Sequence, residues 1–301
     1  MRYLHLALVP TQRGSVKLFE IRGIEIFLHW SWMVVGVLVV TLRRGQYTSL
    51  GWNIAAYVSL FAIVLLHELG HALACRSVGG KADRIVLWPL GGVAYVQPPQ
   101  RPGAVLWSIA AGPLVNLVLL VPAFVGWQLT QGMVSADLGR YLQALFFINL
   151  GLLVFNCLPI YPLDGGQMLR AVLWYFVGRA TSLRWAAMLG LAGAVALGAL
   201  AAVYGQLVVV VIAVFGGLRS WASLRYAKAL GVLLSAPVHA DAACPSCHEA
   251  PPRGPFWSCE CGAPMDVFQL PLCTTCNRVS LAPACPHCGE TSDIERWQRA
   301  V

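Results

Sequence analysis

The sequence predicts an α-helical polytopic membrane protein, with about six transmembrane helices, a membrane-associated β hairpin or re-entrant loop between the second and third, and a small cysteine-rich domain after them. Three observations predict it. Of 301 residues, 58% are hydrophobic and 11% charged, against about 25% charged in an ordinary soluble domain. The apolar residues fall in blocks long enough to cross a hydrocarbon core of roughly 30 Å, which takes about 20 helical residues. Eight of the ten cysteines lie after residue 243, so a domain of different chemistry follows the apolar one.

Residues 1–23 carry Arg2, Arg13, Lys17 and Arg22. The apolar stretch LHLALVP is too short for a secretory h-region and no small-residue cleavage site follows, so a retained basic arm is expected. Apolar blocks at 24–42 and 52–75, separated by RRGQYTSLG, read as the first two spans. Residues 77–103, SVGGKADRIVLWPLGGVAYVQPPQRPG, mix β-branched residues with Gly pairs and Pro and favour strand and turn. Non-helical backbone at membrane depth is tolerated where protein or a water-filled cavity satisfies it. A third span covers 104–129 and a fourth 141–158, which runs into the break PIYPLDGG. Residues 185–218 stay apolar around Tyr204, Gly205 and Gln206, enough for two short crossings.

Six spans place both termini on one side. The basic arm and the Lys and Arg of 76–84, 170–184 and 219–228 fall there, making that side cytoplasmic by the positive-inside rule, with Arg43, Arg44 and Arg140 as exceptions on short outer loops. The net charge of +8 is thus accounted for by membrane orientation rather than nucleic acid. An integral protein of the cell membrane with cytoplasmic termini is expected, divided into a membrane domain, 1–235, and a tail, 236–301.

The second span ends in HELGH, residues 67–71. A spacing of four puts His67 and His71 on one helical face, where they can hold one zinc ion with Glu68 beside them as a general base. Ionisable side chains at the centre of a spanning helix cost about 2.5–3.5 kcal/mol each, so their presence there points to function. A catalytic zinc needs a third protein ligand and an open position. Asp164, in the PLDGG break, is the candidate; a helix N-cap is the other reading of an Asp before Gly-Gly and an apolar helix.

HELGH together with FNCLPIYPLDGGQMLR at 155–170 resembles the site-2 protease family of intramembrane zinc metalloproteases, whose hallmarks are HExxH and a distant NxxPxxPLDGG. HWSW at 29–32, PLGGVA at 89–94 and AAGPLVN at 110–116 extend the resemblance over the membrane domain. It implies that His67, His71 and Asp164 hold one catalytic zinc and that Glu68 is the catalytic base. It places Asn156 near the reacting groups, where its amide orients substrate or steadies an oxyanion, a helix-to-helix hydrogen bond being the alternative. Gly91 and Gly92 of PLGGVA, in the family's membrane-inserted strands, and Asn116 of the third span are expected to meet an extended substrate. His29 matches a histidine often seen there in the family and is read as structural. The activity implied is hydrolysis of peptide bonds in membrane-spanning proteins, as in regulated intramembrane proteolysis.

The tail reads CPSC at 244–247, CEC at 259–261, CTTC at 273–276 and CPHC at 285–288. Eight thiolates suffice for two tetrahedral zinc sites, and a cytoplasmic tail keeps its thiols reduced. Sequential pairing, Cys244, Cys247, Cys259 and Cys261 in one site and Cys273, Cys276, Cys285 and Cys288 in the other, resembles a double zinc ribbon; cross-braced pairing is the alternative. So small and polar a fold needs its metal for stability. Few basic residues accompany it, which argues against nucleic acid and for a regulatory or substrate-recruiting protein partner. His248 and His287 beside the knuckles read as bystanders, and Cys75 and Cys157 as small apolar packing groups. An inactive relative that binds membrane partners through its ribbons is the competing reading, and intact HELGH and LDG motifs argue against it. A transporter requires polar residues spread through the bilayer midplane, whereas here polarity gathers near one face.

Overall fold

The computed structural model describes residues 14–42, 45–88, 91–131 and 136–298; Arg2 and Arg13 of the basic arm, Arg43 and Arg44, and Pro89 and Leu90 of the PLGGVA loop lie outside them. One strand and a short helix stand where the first span, 24–42, was expected. β1 (Ser15–Ile21) and β2 (Ile24–His29) form an antiparallel hairpin. Its turn residues, Arg22 and Gly23, have φ of 50° and 75°, the left-handed pair of a two-residue hairpin loop. Residues 24–29 alternate as IEIFLH, and Ile24 and Ile26 on the inner face are fully buried. That period of two defines a strand, and the continuous apolar run after it becomes α1 (Ser31–Leu42), 12 residues long. At 1.5 Å per residue it reaches about 18 Å, short of the hydrocarbon thickness.

α2 (Leu50–Ser77), α3 (Pro102–Leu129), α4 (Ala136–Cys157), the shorter α5 (Asp164–Val177), α6 (Arg179–Val203) and α7 (Leu207–Ser235) follow. Among the described residues five of these, all but α5, are long and apolar enough to cross a membrane. The chain is an integral membrane protein, and Val37, Val118, Val203 and Val208 are among the apolar side chains it leaves exposed. The two short crossings expected in 185–218 are longer helices. Each extends beyond the apolar run, and they are separated at Tyr204–Gln206, where Gly205 has φ of 65°.

The expected hairpin is β3 (Lys81–Trp88) and β4 (Gly91–Gln97). It is half of a four-stranded sheet in the order β1-β2-β3-β4, with β2 and β3 parallel and the outer pairs antiparallel. Ile26 pairs with Ile85, and Ile24, Ile26, Ile85 and Leu87 pack on Val64, Leu65, Leu69 and Ala72 of α2. Arg76, near the end of α2, donates from Nε to the Ala82 carbonyl at 2.9 Å and from Nη2 to the Gly23 carbonyl at 2.7 Å. The helix carrying HELGH is therefore fastened to the β1–β2 turn and to β3 at once. At the opposite end, the buried Asp137 accepts from the Thr48 amide at 3.0 Å and from its hydroxyl, tying α4 to the start of α2.

After α7 the chain builds a small aromatic core. Phe268 meets Trp257 and Trp297 edge-to-face, at 5.3 and 5.0 Å between ring centroids, and Trp297 is fully buried with Ala242, Cys244 and Cys285. Asp266 joins its segments: it accepts from the Gly254 amide at 2.6 Å and pairs with His239 at 3.1 Å. Burial opposes ionisation there, but the Gly254 amide and His239 hold the carboxyl below the usual carboxylate range.

Candidate metal centre

His67 and His71 lie one turn apart on α2, both buried. The His71 ring donates from Nδ1 to the Ser108 carbonyl of α3 at 2.9 Å. The His67 Nδ1 faces Asn116 Oδ1 at 2.5 Å. That amide's orientation is fixed by logic of donors and acceptors. Asn149 Nδ2 donates to the Asn116 main-chain carbonyl at 2.8 Å, so Asn149 Oδ1 accepts from Asn116 Nδ2 at 2.6 Å, which leaves Asn116 Oδ1 to accept from His67. Both imidazoles thus carry their proton on Nδ1 and present an Nε2 lone pair to the same point.

The third group at that point is Asp164. Its Oδ2 lies 3.1 Å from His67 Nε2 and 3.2 Å from His71 Nε2, and the two nitrogens are 3.1 Å apart. Asp164 Oδ2 is buried without a hydrogen-bond donor among the described residues. With both imidazoles neutral, three electron-pair donors face one another, an arrangement that a bound metal cation satisfies. Tetrahedral zinc at 2.0–2.1 Å from N and O ligands spaces them about 3.3 Å apart, so the residues present fit zinc. Asp164 is the first residue of α5, and Leu163 stands at the N-cap position. Gly165 and Gly166 let this turn settle against the preceding loop: a Cβ at either would strike main-chain atoms of Cys157 and Leu158 or of Ile160 and Tyr161.

Glu68 is buried beside the ligands, and its Oε2 accepts from the Ala94 amide of β4 at 2.9 Å. Gly92 makes this approach possible, since a Cβ there would collide with the Glu68 side chain. Gly112 plays the same part on α3, where a Cβ would meet both imidazoles. A cavity of about 450 Å³ opens over the centre; Gly91, Gly92 and Asn156 line it, as do Phe215 and Arg219 of α7.

Asn116 departs from the sequence reading. It is fully buried and hydrogen-bonded to His67, so it orients a ligand and does not face the cavity where substrate is expected. Asn149, Phe215 and Arg219 were missed. No local motif marks them, because their places follow from how α4 and α7 pack on α2 and α3. A polar residue within an apolar helix was the available signal for Asn149. His29 ends β2 with Nδ1 2.5 Å from Ser31 Oγ, away from the metal ligands. Cys75 is buried as expected, whereas Cys157 is exposed.

The tail cysteines gather in two groups, Cys244, Cys247, Cys285 and Cys288 in one, Cys259, Cys261, Cys273 and Cys276 in the other. The expected sequential pairing is replaced by a nested one, the first knuckle closing with the last around the middle two. Trp297 and Phe268 draw the first and last knuckles together in one core. Sulfur atoms across each group lie 3.4–3.7 Å apart, with no disulfide among the described residues. Four thiolates 2.3 Å from zinc stand about 3.8 Å apart, so both groups fit the ion.

The chain is similar to several known proteins. The profile of peptidase family M50 matches residues 55–137 and 129–200. The zinc metalloprotease MJ0392 of Methanocaldococcus jannaschii is 34% identical over 176 residues, 58% of this chain and 50% of that protein. The stage IV sporulation protein FB of Bacillus subtilis is 37% identical over 122 residues, 39% of this chain and 40% of that protein. The chain spans about half the length, or less, of the curated relatives it matches. Among solved structures, the site-2 protease from Methanocaldococcus jannaschii superposes with a TM-score of 0.51 at 26% identity, covering 70% of this chain and 95% of that one.

Two outcomes follow from the geometry. Asn149→Ala frees the Asn116 amide and weakens zinc binding at the His67, His71, Asp164 centre about 10- to 100-fold, read by competition with a chelator; unchanged affinity removes Asn149 from the centre. The double variant Cys244→Ser, Cys285→Ser lowers the metal content by one zinc per chain, because both residues serve one site. Loss of two restores sequential pairing.

Proposed function

We propose that this chain, whose membrane-embedded part belongs to peptidase family M50, the site-2 proteases, is a zinc-dependent endopeptidase that hydrolyses peptide bonds of membrane-spanning protein substrates within or beside the bilayer. The observation that carries the reading is the convergence of His67 Nε2, His71 Nε2 and Asp164 Oδ2 beside the buried Glu68, under an open cavity.

When bound, zinc supplies a Lewis acid for the scissile carbonyl and lowers the pKa of water toward neutrality. His67, His71 and Asp164 hold it. Glu68 takes the proton of the attacking water and delivers it to the leaving amine. The Ala94 amide keeps that carboxylate turned toward the reacting atoms. Asn156, on the cavity wall, donates to the oxyanion. A spanning helix must unwind before a peptide bond can be cut, and β4 is the outer strand of its sheet with Gly91 and Gly92 at its start. An extended substrate adds to that edge, main chain to main chain. Water enters on the side where Lys81 of β3 meets Glu290 of the tail, the side expected to be cytoplasmic.

The tail holds two structural zinc ions and recruits substrate or a regulatory protein. It rests on the membrane domain. Phe256 packs against Leu183 of α6 and Leu230 of α7, and Glu290 pairs with Lys81 at the start of β3 at 3.0 Å. A module in contact with both α6–α7 and the sheet is placed to influence what reaches β4.

Zinc content and cleavage of a single-span model substrate in detergent test the roles. Glu68→Gln keeps the full complement of zinc and loses cleavage by a factor of about 10²–10⁴ or more, while Asp164→Ala loses the membrane-domain zinc. If Glu68→Gln cleaves as well as the parent, the catalytic reading is wrong. Removing residues 236–301 changes the rate or the choice of substrate; unchanged cleavage of the native substrate would sink the proposed role of the tail.

A further inference from the structure

One cationic side chain in the catalytic cavity has no task in the chemistry above. Arg219 of α7 lines the cavity together with His67, His71 and Asp164 and is the only Lys or Arg among the lining residues. Its position is set by its neighbour. Ser220 is fully buried and donates to the Tyr161 carbonyl at 2.7 Å, three residues before Asp164. Gly190 of α6 keeps this junction tight, since a Cβ there would strike both the Tyr161 carbonyl and Ser220 Oγ. Phe215 lies one turn before Arg219, on the same helical face, and its ring meets Trp88 of β3 at 6.0 Å between centroids. The Phe215–Arg219 face of α7 therefore forms a wall of the cavity that β4 also lines.

Five arginines of the membrane domain have partners: Arg76 with main-chain carbonyls, Arg84 over the Tyr95 ring, Arg170 and Arg179 over the Trp174 ring, and Arg140 with Asp137. The Arg219 guanidinium has no hydrogen bond or ion pair among the described residues and is half-buried. Charge balance explains what it lacks. The carboxylates of Asp164 and Glu68 already offset the two positive charges of zinc, so Arg219 leaves a cleft of low dielectric with a surplus positive charge. A guanidinium prefers a carboxylate, which it can grip with two parallel hydrogen bonds.

We propose that Arg219 is a specificity-determining residue that pairs with a carboxylate of the bound polypeptide, an Asp or Glu side chain close to the scissile bond. The inference rests on the protease reading above, since it takes the ligand to be an extended substrate on the β4 edge. Such a chain runs beside the Phe215–Arg219 face, with apolar residues against Phe215 and Trp88 and the acidic residue against Arg219.

Binding separates this inference from catalysis. The full-length Glu68→Gln protein, zinc-loaded in detergent, is titrated with fluorescent apolar peptides carrying one Glu at successive positions and with their Gln counterparts. At one register the Glu peptide binds about 10- to 100-fold more tightly than the Gln peptide, the range for a hydrogen bond to a charged group. Arg219→Gln removes that difference while leaving the Gln peptide unaffected. Arg219→Lys keeps part of it, and Arg219→Glu shifts preference to a Lys-bearing peptide. Absence of a preference at every position, a preference that survives Arg219→Gln, or equal weakening of both peptides would overturn the inference. Because these proteins do not cleave, the result stands apart from hydrolysis: a parent chain that cuts no substrate defeats the protease reading, and the peptide preference still decides the role of Arg219.

Discussion

The fold is organised around three electron-pair donors that cannot share a small space without a cation between them. Two imidazole nitrogens and a carboxylate oxygen stand 3.1–3.2 Å from one another, each turned inward by a partner or a turn behind it. His67 and His71 come from α2 and Asp164 from α5, so a metal ion held there would clamp the two helices together beside α3. The small residues around it follow from that demand. Gly112 admits the imidazoles, Gly165 and Gly166 admit the turn carrying Asp164, and Gly92 brings a strand against Glu68. A methyl group at any of these places would push a ligand, or the base, out of position.

Rigidity of the centre is transmitted from both ends of the zinc-binding helix. At its C-terminal end Arg76 fastens α2 to the β1–β2 turn and to β3, and the inner faces of β2 and β3 bury Ile24, Ile26 and Ile85 against α2. Across the helix, the Asn116–Asn149 pair links α3 to α4 and orients His67. The sheet thus does two jobs. It buttresses the helix that carries His67 and His71, and its outer strand β4 brings the Ala94 amide to Glu68.

Motifs whose geometry is local were legible in the sequence. HELGH has the spacing that a helix turns into a two-histidine face, and PLDGG has the glycines that its tight turn requires. Spans were legible as far as they were simple apolar runs. The first block was not, because IEIFLH carries a strand's alternation at the head of a helix's apolar run, and its partner strand β3 lies more than fifty residues away in the chain. Asn116 was noticed but given to substrate, since its contact with His67 depends on how α3 crosses α2. The nested cysteine pairing was hidden for a similar reason: four knuckles in a row do not encode which of them the aromatic core will bring together. Arg219 looked like one more topological charge, and only the packing of α7 beside the metal ligands turns it toward the cavity.

An anomalous difference map recorded at the zinc absorption edge from crystals of the full chain tests the central claim most directly. The account predicts a peak about 2.0–2.1 Å from His67 Nε2, His71 Nε2 and an Asp164 carboxylate oxygen, with Glu68 beside it and outside the ligand set. A map with no peak there, or one in which Asp164 points away and Glu68 ligates the ion, would contradict it.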